Sequence, residues 1–68
     1  MKKLDLENIY KYHSPKSGQN EKYEALRAKA KELAEMIIEF CPVSREQSIS
    51  FTNLETTVMW ANAAIARN

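Results

Sequence analysis

One cysteine, one histidine and one glycine are all that this chain of 68 residues contains of those types. A lone Cys41 excludes an internal disulfide. A lone His13, with no cluster of ligand types around it or around Cys41, leaves no basis for a structural metal. Both usual staples of a small domain are therefore missing, and a single domain of residues 1–68 has too little interior to be comfortably stable without one. Association with further copies is what remains. Long apolar runs are missing too. Nothing approaches the roughly 20 residues needed to span a bilayer, and Met1-Lys2-Lys3 is not followed by a signal-peptide core. A cytoplasmic chain without a membrane partner is expected, and the single cysteine fits a reducing compartment.

Charge of one sign is also scarce. Ten basic residues face nine acidic ones, for a net charge of +1. An extended surface for duplex DNA is disfavoured, so an anionic partner should be small and met by a few placed cations. No glycine-rich phosphate loop, His/Cys ligand set or nucleophile–base pair occurs, and the carboxylates are scattered along outer helix positions. The chain is not expected to be an enzyme, nor to carry a cofactor.

What is present is helical periodicity. Tyr23, Leu26, Ala30, Leu33, Ile37 and Phe40 form an a/d seam on a stretch rich in Ala, Leu, Lys, Glu and Arg, all good helix formers. This helix should begin near Gln19 or Asn20, with Ser17 and Asn20 available as turn or cap residues and Glu21 and Glu24 favourably placed against the dipole. Ala34, Met36, Ile38 and Cys41 widen its apolar surface, and Lys31 and Glu35 form an i,i+4 pair on the outer side. Cys41-Pro42-Val43 ends it, because proline cannot continue a helix. Ser44-Arg45-Glu46-Gln47 then reads as a capping box, with Ser44 as N-cap and Gln47 reaching back. The last helix, Arg45 to about Ala66, carries a matching seam of Phe51, Leu54, Val58, Ala61 and Ile65. A turn of about three residues makes the two long helices antiparallel neighbours.

Ahead of them, residues 4–11 read as a short amphipathic helix with Leu4, Leu6, Ile9 and Tyr10 as its apolar contacts. Too short to persist alone, it must dock on the hairpin. The fold class is therefore all-α: a short N-terminal helix, then a long antiparallel helical hairpin, assembled into a helical oligomer. A single hairpin has one inner face, which leaves Met59, Trp60 and the nearby alanines for another chain.

Between the short helix and the hairpin lies a loop, Tyr12 to Asn20, in which Pro15 and Gly18 mark turns. Tyr10 and Tyr12 enter it beside Lys11, His13 and Lys16. Two readings stand: the tyrosines pack over the end of the long helix, or one of them stacks on a base while the cations neutralise phosphate. Arg27 flanks the seam near the helix start, placed either to bridge to a glutamate between helices or to fork onto a phosphate. His13 is expected to be a turn residue.

The order Tyr12-His13-Ser14-Pro15, then QNEKYEALRAKAKELA from Gln19, CPVSREQS from Cys41 and VMWANAAIA from Val58 resembles the small phage anti-CBASS sponges. CBASS is the cyclic-oligonucleotide-based antiphage signalling system of bacteria. The resemblance runs from about Leu6 to Arg67. It implies a helical protomer in a compact hexamer, working in the cytoplasm of the infected bacterial host cell. Such proteins do no catalysis; they sequester cyclic dinucleotides and cyclic trinucleotides so that the immune effector is never switched on. On this resemblance Tyr12 takes the position of a ligand-binding tyrosine and Arg27 that of a basic residue, both serving cyclic dinucleotides between protomers. The family carries lysine at the second position, so Arg27 keeps the charge and changes the geometry. Arg67 falls near a separate trinucleotide pocket. Two rival functions are a small helical DNA-binding regulator and an oligomeric adaptor that binds no ligand.

Overall fold

The computed structural model describes residues 6–14 and 16–68, and among them the chain forms helices and no strand. These are α1 (Leu6–Tyr10), α2 (Gln19–Phe40) and α3 (Arg45–Arg67). α2 and α3 form the expected antiparallel hairpin. α1 ends at Tyr10, one residue before the Lys11 read from the sequence, and Leu4 lies outside the described residues.

Each end of the hairpin has a local cause. Cys41 leaves the helical region at φ −111° and ψ 130°, while its N–H still donates to Ile37 O at 2.9 Å. The residue before a proline is driven to extended backbone, and Pro42 follows. Ser44 is extended, and its Oγ accepts from Gln47 N at 3.1 Å, so the predicted N-cap of α3 is formed. The reciprocal half of the capping box is not. The Gln47 amide donates instead to Cys41 O at 3.2 Å, and Ser44 Oγ donates to Pro42 O at 2.9 Å. Both bonds fold the tight turn onto α3. The α2 N-cap is Gly18, at φ 83°, with no side-chain cap, in place of the Ser17 or Asn20 expected from residue type. A left-handed backbone there suits glycine and strains other residues.

The inner face of α3 is the one its periodicity predicts. Phe51, Leu54, Val58, Ala61 and Ile65 are all half-buried. On α2 the seam shifts. Tyr23, Leu26, Ala30, Ala34 and Ile37 face the partner helix, whereas Leu33 and Phe40 are exposed. A straight α-helix has 3.6 residues per turn, and a strict 3.5 period drifts off the contact line within two heptads. Ala34 replaces Leu33 at the contact, which lets the helices approach closely. The ion pair expected between Lys31 and Glu35 is absent. Lys29 and Glu32, three residues apart, meet instead at 3.2 Å, on the exposed surface where such pairs contribute little.

No hydrophobic residue among those described is fully buried. Trp60 is 65% exposed, Met59 69% and Phe40 67%. The accessible surface is 5990 Å², against about 4400 Å² for a compact monomer of this mass. The radius of gyration is 15.0 Å, where a compact chain of this length would have about 11 Å. The hairpin is an open slab with apolar flanks. None of the helices of the described residues is long and apolar enough to cross a membrane.

The α3 cap gives a direct test. Ser44→Ala should lower stability by about 1 kcal/mol through loss of the Oγ acceptor, and Ser44→Asn should restore most of it, as read from thermal unfolding.

Candidate ligand-binding site

The last four carbonyls of a helix have no partner within it. At the end of α3 three of them are taken by side-chain amides. Asn68 Nδ2 donates to Ala64 O at 3.1 Å, Gln19 Nε2 to Ile65 O at 3.0 Å, and Asn8 Nδ2 to Arg67 O at 2.9 Å. Two of these donors come from the other end of the sequence. Asn8 belongs to α1 and Gln19 opens α2, so the end of α3 is the anchor on which the N-terminal segment closes.

Gln19 serves both sides of that anchor. Its Oε1 accepts from Lys16 N at 2.8 Å while its own N–H donates to Lys16 O at 3.1 Å, closing the loop into a tight turn. At 8% exposure it is the buried polar residue among those described, and both ends of its amide are satisfied. His13 completes the strap. Its Nε2 lies 2.7 Å from Asn8 O, and because a carbonyl only accepts, that nitrogen carries the proton. The expected turn role of His13 is what the geometry shows.

These bonds hold the backbone of the loop while leaving its aromatic side chain outside. Tyr12 is 81% exposed and, among the described residues, makes no hydrogen bond or ring contact. Tyr10 is equally exposed, so neither tyrosine packs over the end of α2. Lys11 and Lys16 are exposed beside them. Arg67 ends α3 half-buried at the same end of the molecule, where a cation also complements the helix dipole. Arg27 stands apart. Eight residues beyond Gln19, it lies about 12 Å along α2. It is exposed, and among the described residues no inter-helix salt bridge engages it. The structure therefore brings Tyr12 and Arg67 to one end of the hairpin and does not join Tyr12 to Arg27 within a chain.

A family model for the Acb2/Tad1 hairpin domain matches residues 2–66. The chain belongs to that family. No curated protein and no solved structure matches it. Within the Acb2/Tad1 hairpin the elements that carry the resemblance now have places. The segment around Tyr12 is the strapped loop, and Val58–Ala66 is the part of α3 that faces the start of α2. Asn8 and Gln19 escaped the sequence reading. Both are amides next to helix ends, but their partners lie 59 and 46 residues away, which no local pattern can reveal. Asn62 was missed too: its Oδ1 is buried and unpaired among the described residues.

The outer surface of α3 offers little to a duplex. Its cations, Arg45 and Arg67, sit at opposite ends. Thr52, Thr56 and Thr57 turn their hydroxyls back to the carbonyls of Ser48, Thr52 and Asn53 at 2.8–3.2 Å. A recognition helix needs donors directed outward along one face.

The anchor is open to test. Gln19→Ala should destabilise the protein by about 1–3 kcal/mol, because Lys16 N–H and Ile65 O lose their partners in a buried setting. Gln19→Glu keeps the acceptor, loses the donor and sets a carboxylate against helix carbonyls, so it should be at least as damaging. Amide hydrogen exchange at Lys16 should accelerate in Gln19→Ala, and unchanged exchange there would remove Gln19 from this role.

Proposed function

We propose that this Acb2/Tad1 hairpin is a phage immune-evasion protein that binds and sequesters cyclic di- and trinucleotide messengers in the cytoplasm of the infected bacterium, keeping CBASS effectors inactive. The match of the family model over residues 2–66 carries the reading. The surface agrees with it in chemistry. An unpaired aromatic ring on a fixed loop, flanked by Lys11, His13 and Lys16, suits a base and its phosphate. An exposed, unpaired Arg27 suits a second phosphate, which its planar fork grips at two oxygens.

On this reading the protein is one domain that works as a homo-oligomer, a hexamer by family resemblance, and performs no catalysis. Tyr12 stacks on a base of a cyclic dinucleotide and Arg27 pairs with a phosphate. Because they lie apart within one chain, the site takes one from each of two copies. Symmetry fits the ligand: a two-fold interface supplies each ring and each cation twice, matching two bases and two phosphates. Arg67 serves the trinucleotide at the end of α3. Sequestration needs no reaction. It requires copies in excess of messenger and an affinity above that of the effector.

Calorimetric titration of the variants tests the assignment. Tyr12→Ala should weaken cyclic dinucleotide binding by about 1–3 kcal/mol for each base stacked, while Tyr12→Phe should keep most of the affinity. Arg27→Ala should be more damaging than Arg27→Lys, since lysine retains charge without the fork. Arg67→Ala should weaken cyclic trinucleotide and spare dinucleotide. Undiminished dinucleotide affinity in both the Tyr12 and Arg27 alanine variants would refute the site.

A further inference from the structure

The strap leaves one of its groups half used. His13 is half-buried, and its Nε2–H donates to Asn8 O at 2.7 Å. The other ring nitrogen, Nδ1, has no partner among the described residues and is not sealed from solvent. A carbonyl only accepts, so the strap fixes the tautomer: the neutral ring keeps its proton on Nε2 and a lone pair on Nδ1. A second proton must therefore go to Nδ1. It leaves the bond to Asn8 O in place, because both nitrogens of an imidazolium donate. The ring can change its charge without releasing the loop.

The charged groups on the elements that meet at the strap are few. Tyr12 directly precedes the ring, and Lys11 and Lys16 are exposed on either side. Glu7 lies on α1, Glu21 in the first turn of α2 with Lys22 after it, and Arg67 in the last turn of α3. Neither carboxylate forms an ion pair with His13. A charge on the ring thus has no counter-ion among the described residues, and an anion held against Tyr12 would supply one.

We infer that His13 is a proton-dependent phosphate ligand, which takes a proton at Nδ1 when a cyclic dinucleotide binds and donates it to a phosphate oxygen beside the base on Tyr12. The proton comes from solvent, and no covalent bond to carbon or phosphorus is made or broken. A phosphate next to an imidazole favours the charged ring, and the bond that results is charge-assisted. Binding is then linked to proton uptake, so affinity rises as the pH falls. The phosphodiesters of the ligand stay ionised throughout, and His13 is the one histidine of the sequence. The inference rests on the dinucleotide reading above and adds to Tyr12 and Arg27 a group whose charge depends on pH.

Calorimetric titration of the native protein with cyclic di-AMP and with cyclic di-GMP tests it. Repeating each titration in buffers of different ionisation enthalpy counts the protons taken up on binding. Net uptake is expected, and affinity should rise several-fold from about pH 8 to about pH 6, the range in which imidazole changes charge. His13→Gln separates the proton from the strap, because a glutamine amide can still donate to Asn8 O but cannot ionise. That variant should melt near the native temperature, take up no proton, and bind with one affinity across the range. Native binding without uptake, or uptake that persists in His13→Gln, would overturn the role of His13 while leaving the dinucleotide reading intact. Should His13→Gln fail to fold, nitrogen NMR of the native imidazole gives the same decision. Its Nδ1 signal should move from the unprotonated to the protonated position when the cyclic dinucleotide is added near neutral pH, and an unmoved signal would contradict the inference. If neither cyclic dinucleotide binds the native protein, the dinucleotide reading and this inference fall together.

Discussion

A two-helix hairpin has a single inner face, and every other feature of this molecule follows from that limit. The two long helices bury apolar side chains only partly, and no described hydrophobic residue escapes solvent. Burial contributes roughly 25 cal/mol for each Å² of apolar surface removed from water. A slab with its flanks open forgoes much of this contribution, and neither a disulfide nor a metal cluster of described residues is present to replace it. The hairpin thus leaves apolar flanks on which the proposed association would act.

The same limit explains where binding chemistry sits. Among the described residues Tyr12 and Arg27 lie on the outside of the hairpin, so on the proposed function their enclosure comes from assembly. What a single chain does supply is placement. The amides of Asn8 and Gln19 occupy carbonyls at the end of α3 and draw the loop against it, which fixes the backbone on which Tyr12 is carried. An exposed ring on a fixed backbone loses less entropy on binding than one on a free strand, which suits the stacking role proposed for Tyr12. Packing, polar capping and site position are here one arrangement seen at three scales.

Much of the fold was legible in residue order because it depends on local rules. The seam of α3, the Ser44 cap and the break at Cys41-Pro42 each rest on residues within a few positions of one another. The errors have equally specific causes. Leu33 and Phe40 left the α2 seam because a 3.5 spacing does not stay on one side of a straight helix. Gln47 turned to Cys41 O because the tight turn offered a nearer acceptor. Gly18 replaced a polar cap because the loop enters α2 through left-handed backbone. For the site, residue type pointed to Tyr12 and Arg27, and family resemblance supplied their roles and added Arg67. Sequence could not supply the anchor, since its bonds join the two ends of the chain.

On the proposed function, stability and binding both depend on association. Thermal unfolding of the native protein over about a hundredfold range of concentration tests it most directly, because an assembly that dissociates as it unfolds melts at a concentration-dependent temperature. The melting temperature should fall by several degrees on dilution and rise again when a cyclic dinucleotide is added. A sharp transition at one temperature across the whole range, unmoved by ligand, would contradict it.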